Sequence, residues 1–540
     1  MERLLCFLCC LIFILGAGKV CAVEVYYTPR EVKTENKISG NFFTEISYQK
    51  IGGKDEASSY RDGWDYLSQL SLNINGPMFL GYNYEGEIVL RKTDTNIIEP
   101  RRDLRIKRAD IRLYNKENLF ILGEYYQDFS RFSLSNSLEG LYAELSPRTD
   151  IRLKAVAGRS QSADTVSADY QRNVFGFSVD YNPLHPILSM DRFDVSFSMV
   201  TSQDDSSSCG VSGAKDLNNT VVALSATMGK KKLGMNYDMA YSAYTEDEDT
   251  DNDIDWGWAL RIEPYWFIDK ANIRMRYLFD YVTPDFYTAQ GSAASDKIRH
   301  GISFDWIISD NLSMIFSEDL SYDHLKGSDK TKRTTQKEHS LTLNIDEPDA
   351  YRGSVYFDYI GTDSDDTANT EEAEDISFGF EYSRIIDKTS SLRLGYERRL
   401  YSRESDKSLS EYSHKLTLGF TKNGKWFGRE YYINPDINLN MHSPKTDNNK
   451  DISVTFSMSA SYNFTDRINI RTGINIADTN GAAVDSDYIK KISYMEYDCM
   501  LSKKKSSHLI IRVERNTNEY GNSSLNYKET RYICRFQTGF

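Results

Sequence analysis

Between Ile452 and Phe464 the chain alternates strictly: Ile452, Val454, Phe456, Met458, Ala460, Tyr462 and Phe464 share one parity, and Ser453, Thr455, Ser457, Ser459, Ser461 and Asn463 the other. An extended chain turns successive side chains to opposite faces, so a period of two describes a strand with one face in an apolar medium and one in a polar medium. The next segment repeats it, with Ile468, Ile470, Thr472, Ile474 and Ile476 opposing Asn469, Arg471, Gly473 and Asn475. Phe193 to Met199, Ile273 to Tyr281, Leu341 to Ile345 and Leu416 to Phe420 read alike. A soluble sandwich also alternates, but these segments run to roughly 10 to 13 residues, which suits a tilted membrane strand and exceeds the soluble mode of about five or six.

Composition agrees with this pattern. Tyr occurs 37 times and Phe 26 times, against 11 Pro, in a chain of 540 residues, a mixture that favours strands and aromatic surfaces. The mean hydropathy of -0.54 resembles that of a soluble protein. It does not exclude the membrane, because a transmembrane strand meets lipid only at every second residue. No linker rich in Pro or Gly and no composition shift divides the chain. Short turns such as Asn75-Gly76, Ser309-Asp310-Asn311, Glu347-Pro348-Asp349, Asn423-Gly424 and Thr465-Asp466 alternate with long polar loops, among them 202–218, 245–253, 283–297, 324–335, 362–373 and 517–527. Counting segments gives an all-β, closed antiparallel transmembrane barrel of about 26 strands, within a range of about 22 to 28, with short periplasmic turns and long extracellular loops.

The first residues read as an export signal. Met1-Glu2-Arg3, an apolar run from Leu4 to Leu15, then Gly16-Ala17-Gly18 and Val20-Cys21-Ala22 have the three parts of a secretory signal peptide, and the run is short for a membrane span. The expected division is a signal at 1–22, a short periplasmic segment at 23–35 and a barrel at 36–540. An uncleaved anchor is the alternative, as is lipidation at Cys21, which Lys19 and Val20 suit poorly. Four of the seven cysteines fall in this signal. Cys209, Cys499 and Cys534 are too few and scattered for a disulfide scaffold or a four-cysteine metal site, although a single disulfide between two of them stays open.

At the other end Tyr532, Cys534, Phe536, Thr538 and Phe540 occupy alternate positions, with Arg531, Arg535 and Gln537 among them. This closing strand resembles the carboxy-terminal signal of the outer-membrane β-barrel superfamily, with Tyr532, Phe536 and Phe540 as its aromatic positions. The resemblance covers the mature chain and reaches no narrower family. It implies a place in the cell outer membrane, contact with outer-membrane lipid, and handling by the barrel-assembly machinery.

Charged residues recur on the polar faces of the strands: Arg105, Lys107 and Arg112; Arg274, Arg276 and Asp280; Arg393, Glu397 and Arg399; and Arg471. In a barrel these are candidate lumen-lining residues, either as a ladder of opposite charges that stiffens the wall or as a selectivity surface. Asp249, Asp251 and Asp253 have alternate carboxylates like part of a Ca²⁺ loop, but the glycine and distal glutamate of that motif are missing, and an acidic solvated loop explains them as well. Lys230-Lys231-Lys232 and Lys503-Lys504-Lys505 fall on the short-turn side. Tyr26, Tyr27, Trp256, Trp258, Trp266, Trp306 and Trp426 fit interfacial girdles.

Several classes of function are absent from the sequence. The net charge of -14 argues against a nucleic-acid partner. No nucleophile elbow, His-Glu-x-x-His or phosphate loop occurs, so the reading is of a non-enzyme without a cofactor. A barrel of this size is wider than those that already leave an aqueous channel, so it needs a filler. Long loops folded inward are one filler, with 128–138 around Phe129, Phe132 and Leu134 the example; a threaded protein is the other. A large amino-terminal plug does not fit before residue 36. Three functions follow: a porin-like channel or export pore; a scaffold sheathing a periplasmic or lumen-filling partner, such as a haem protein in an electron conduit; and a surface-structural or adhesion role suggested by the acidic loops.

Overall fold

A computed structural model describes residues 35–53, 62–94, 104–161, 171–187, 189–205, 208, 217–246, 254–325, 328, 333–365, 371–404, 410–444, 451–480 and 487–540. The signal and most of the segment expected before residue 35, the acidic triplet at 249–253 and Cys209 lie outside these residues. The described chain is one sheet of 26 strands. Its first third comprises β1 (Lys37–Gly53), β2 (Gly63–Pro77), β3 (Asn83–Thr93), β4 (Arg105–Tyr114), β5 (Asn118–Ser130), β6 (Leu134–Arg148), β7 (Ile151–Gln161) and β8 (Gln171–Tyr181). There follow β9 (Arg192–Asp205), β10 (Leu217–Lys230), β11 (Leu233–Glu246), β12 (Asp255–Ile268), β13 (Ile273–Val282), β14 (Lys297–Ser309), β15 (Leu312–Tyr322), β16 (Arg333–Glu347) and β17 (Tyr351–Asp365). The last third holds β18 (Glu371–Asp387), β19 (Ser390–Arg403), β20 (Glu411–Trp426), β21 (Arg429–Pro444), β22 (Asp451–Asn463), β23 (Ile468–Asn480), β24 (Tyr488–Ser502), β25 (Ser507–Tyr520) and β26 (Tyr527–Gly539).

Each strand pairs antiparallel with its neighbours in sequence, and β1 pairs with β26 from Asn41 opposite Gly539 to Gly53 opposite Tyr527. Gly40 and Phe540 exchange backbone hydrogen bonds at 3.0 and 3.1 Å, extending that seam. The ring is therefore closed, as hydrocarbon requires of any sheet that crosses it. With strands about 4.8 Å apart and tilted by about 40°, twenty-six of them enclose a ring about 50 Å across between backbones if round.

Connections after even strands are tight, residues 182–191 being the longest, and those after odd strands carry most of the undescribed residues. Two expected turns are displaced. Asn75-Gly76 and Asn423-Gly424 lie inside β2 and β20, and the chain reverses a few residues later, at Leu80-Gly81 and Phe427-Gly428, which hold the left-handed conformations. Phe427 and Gly428 have φ of 50° and 74°, the pair of positive values that a two-residue hairpin of the right twist needs. Large exposed apolar residues, Phe79 and Leu80 at one and Phe427 at the other, sit at these reversals, so the Asn-Gly signal misplaced them.

The two faces differ as the alternation requires. Leu416, Leu418, Phe420, Val454, Ile474, Phe357 and Phe378 are exposed on the outside, where lipid covers them. Trp258 stacks on Tyr281 towards the loop side, and Trp266, eight positions further along β12, lies near the turns. Eight residues span roughly 26 Å of strand, or about 20 Å of height at a tilt of about 40°, close to the apolar band of about 25 Å. The chain is thus a closed barrel whose outer face carries an apolar band of membrane-spanning height. Arginine placed at Leu418, on the lipid face, is expected to destabilise the barrel by about 2–4 kcal/mol, whereas arginine at the adjacent inner-face Thr417 costs far less; unfolding by urea in lipid vesicles compares them.

Candidate functional site

The inner face is a polar wall built by register. Ser461, Arg471, Glu496, Arg512 and Ile533 follow one another across β22 to β26, and Glu45 closes the row's neighbourhood from β1. Arg471 reaches Glu496 at 3.1 Å and Asp498 at 3.7 Å, and Arg512 reaches Glu514 at 2.5 Å. Glu45 is buried between Arg531 and Arg535, at 3.1 and 2.6 Å. Further round, Arg393 bonds Asp436 at 2.6 Å, Arg399 bonds Asp375 at 2.5 Å, and Glu397 accepts from the Tyr356 hydroxyl at 3.0 Å. Arg112 lies 3.0 Å from Asp110, and Arg276 4.0 Å from Glu263. Arg274 faces Asp305 in register, and Arg105 faces Arg91. All eight expected positions share this face. Most are held sideways by an acid on the same or a neighbouring strand, so few long cations project freely into the bore.

The stretch from β5 to β13 is built differently. β5 pairs with β4 only from Asp110 opposite Gly123 to Tyr114 opposite Leu119, and β6 meets β7 only from Glu139 opposite Arg159 downwards. Above that level Glu124 to Asp128 pair solely with Ser135 to Glu139. This upper half of the hairpin has left the wall and folded inward. The crease is a row of glycines in register, Gly123, Gly140 and Gly158. Gly123 has φ +118°, and a Cβ there would sit 1.9 Å from the Ala109 carbonyl oxygen; one on Gly140 would sit 2.2 Å from that of Ala157. Only glycine permits such a bend and such an approach.

The folded hairpin lies on the inner wall. Tyr125, Phe129, Leu134 and Leu138 pack with Val156, Val174 and Val200 of β7, β8 and β9. At its tip Phe132 is fully buried among Val221, Ala223, Ala240, Ala259 and Val282 of β10 to β13, against Phe286. Arg131 bonds Asp280 at 2.9 Å. The wall beneath is lined chiefly by Val, Ala, Ser and Gly in place of the long charged side chains found elsewhere, which leaves room for a second layer. Alternation changes accordingly: the outward parity of β5 and β6 is apolar at Phe120, Leu122 and Leu141, then polar at Glu124, Ser137 and Glu139.

Loop 283–296, after β13, folds inward to meet it. Phe286 packs edge-on to Phe132 with ring centroids 5.8 Å apart. Gly257 makes this possible, since a Cβ there would lie 2.1 Å from the Phe286 nitrogen. The loop then runs back along the hairpin: Asn219 bonds the backbone of Tyr287 and Ala289, and Gln290 bonds Ser160 and Asn136. Two backbone bonds join loop to hairpin, Ser135 N–H to the Gln290 carbonyl at 2.9 Å and Ser292 N–H to the Arg131 carbonyl at 2.8 Å. The expectation that 128–138 is a loop is corrected: it is the end of two strands and their turn. Loop 283–296 was read only as an external loop, and the apolar Phe286 was its one signal.

Cys499 and Cys534 are both free thiols, opposite Leu509 and Ile511 on the lipid-facing parity. Tyr532 and Phe536 share that parity in β26, beside Tyr48 and Phe42. Among the described residues no group of three His, Cys, Asp or Glu is placed to hold a metal ion.

No protein-family model matches the chain, and no curated protein matches it. Among solved structures it resembles the P pilus usher (PapC) translocation pore, at 11% identity over 93% of this chain and 99% of that one, with a TM-score of 0.35. The siderophore receptor PirA from Pseudomonas aeruginosa is 8% identical over 94% and 81%, with a TM-score of 0.42. A BenF-like porin from Pseudomonas fluorescens Pf-5 is 9% identical over 93% and 99%, with a TM-score of 0.26. These are likenesses of barrel architecture alone.

Cysteines placed together at Ser135 and Gln290, whose backbones are hydrogen-bonded across the junction, are expected to form a disulfide in the oxidised protein, seen as a mobility shift reversed by reductant. Gly257→Leu removes the room that Phe286 occupies and is expected to lower the yield several-fold. Equal yield with Gly257→Leu counts against the docked loop.

Proposed function

We propose that this barrel is a porin-like outer-membrane channel whose bore is narrowed on one side by the hairpin at 124–138 and loop 283–296. The observation that carries the reading is the unequal lining. The inward segments cover the arc from β7 to β13, while the arc from β14 round to β4 is a polar wall of paired charges that needs water against it. Side chains shorten a bore about 50 Å across by about 10 Å, and a two-stranded hairpin with one loop takes up a fraction of what is left. Because acid and base alternate along the wall, the fixed field has little net sign, and passage is governed by size more than by charge. A non-enzymatic role agrees with this lining.

The same width favours a second reading, in which the uncovered arc sheaths a partner protein. The hairpin would then be a lateral packing that centres the partner, and its polar free face, Glu124, Ser137 and Glu139, would touch it.

Reconstituted in planar bilayers, the protein is expected to conduct, and a variant with 283–296 shortened is expected to conduct more. Asp436→Asn frees the Arg393 guanidinium from its partner and is expected to move the reversal potential towards anion preference. Absence of conductance from both the parent and the shortened variant would refute the channel reading, and a stoichiometric protein retained through purification in mild detergent would favour the sheath.

A further inference from the structure

Folding a hairpin inward takes its two strands out of the wall. Above the glycine row the described residues place no strand between β4 and β7: β4 pairs with β3 as far as Arg105, β7 pairs with β8 as far as Gln161, and β4 and β7 do not pair with each other. Neighbouring strands lie about 4.8 Å apart, so two missing strands leave these backbones about 14 Å from one another. The floor of this gap is the crease itself, Gly123 and Gly140, which contribute no side chains.

Exposure agrees with the gap without marking it alone. On the lipid face of the unbroken wall Ile88 is 40% exposed, Leu418 43% and Ile474 40%, and Met495 reaches 59%. Beside the gap Ile106 is 67% exposed, Leu122 59% and Leu141 54%. These residues continue the lipid-facing belt, so hydrocarbon reaches the rim. On the other side of the rim, the hairpin's free face slopes into the bore with Glu124, Tyr126, Ser137 and Glu139, and Arg159 bonds Glu139 at 3.4 Å across the crease. Apolar rim and polar ramp meet within a few residues.

We propose that this gap is a lateral window in the loop-side half of the barrel wall, occupied by the acyl chain of an outer-leaflet lipid, and that an amphiphile passes there between membrane and bore with its head on the hairpin ramp. The window does not depend on the bore conducting ions; it depends on the hairpin having left the wall.

The test uses the full-length protein with its native cysteines replaced by alanine, and an environment-sensitive fluorophore on one new cysteine at a time. Tyr126→Cys and, as a second reporter, Ser137→Cys probe the ramp; Ile474→Cys is the lipid-facing reference and Ser457→Cys the inner-wall reference. In phosphatidylcholine vesicles carrying a nitroxide high on the acyl chain, quenching at 126 and 137 is expected to exceed that at 457 several-fold and to approach that at 474. A water-soluble quencher is expected to reach 126 and 137 as well. Lipid quenching at both ramp positions no greater than at 457 overturns the window, because the wall is then sealed. Lipid quenching without access to the aqueous quencher overturns it too, because the hairpin then lies in the bilayer.

Discussion

Hydrocarbon offers no hydrogen bonds, so every backbone group that crosses it must find a partner in the chain. The long seam between β1 and β26 answers that demand, and everything else in the molecule depends on the ring it completes. Once the ring is closed, each strand has one face committed to lipid and one to the interior. The outer face is then free to be a uniform belt of Leu, Ile and Phe. Inside, the wide bore exposes charged residues to water, and pairs such as Arg393 with Asp436 hold them against the wall.

Among the described strands, the hairpin at 124–138 sets this logic aside. Its outward parity turns polar after Leu122 while its inward parity stays apolar from Ile121 through Tyr125 and Phe129, which converts a segment of wall into a second layer inside it. The cost is an interrupted wall between β4 and β7, and the gain is an interior ledge held by Phe132, Phe286 and the Arg131–Asp280 pair. Small residues under the ledge, Ala223, Ala240 and Ala259, show that the wall is matched to its load: a charged side chain at any of these positions would occupy the space of the layer above.

Much of this was legible in the residue order. The alternation from Ile452 to Phe464 specifies β22 and its lipid face, and repeats of that pattern specify the strand number, because nothing but parity and length is needed. Parity alone groups the charged positions within β13 and within β19, but Arg105 and Arg112 have opposite parity in β4 and come to one side of the sheet only through the register shift opposite Val89 and Leu90. Turn positions were less legible: Asn423-Gly424 has the chemistry of a reversal, but the membrane interface rewards Trp426 and Phe427 at that height, and the reversal moves to meet them. The apolar cluster of Phe129, Phe132 and Leu134 pointed inward, yet it read as a loop, because the strand partners of a segment cannot be told from its own sequence. The crease was readable as the phase change at Gly123, where Leu122 and Glu124 share a parity but belong to different media. The docking of 283–296 was not readable, since it rests on Gly257 and on contacts between strands far apart in the chain.

That separation sets a timetable for biogenesis. The ledge rests on β10 to β13 and is fastened by a loop that emerges only after β13, more than a hundred residues beyond Arg131 in the chain. Loop closure over such a span follows the formation of local hairpins. The hairpin therefore has no complete seat until β10 to β13 and the loop after them are in place, and the bore reaches its final width only after half the staves stand. Trapping the 135–290 cross-link at successive times during assembly would read that clock.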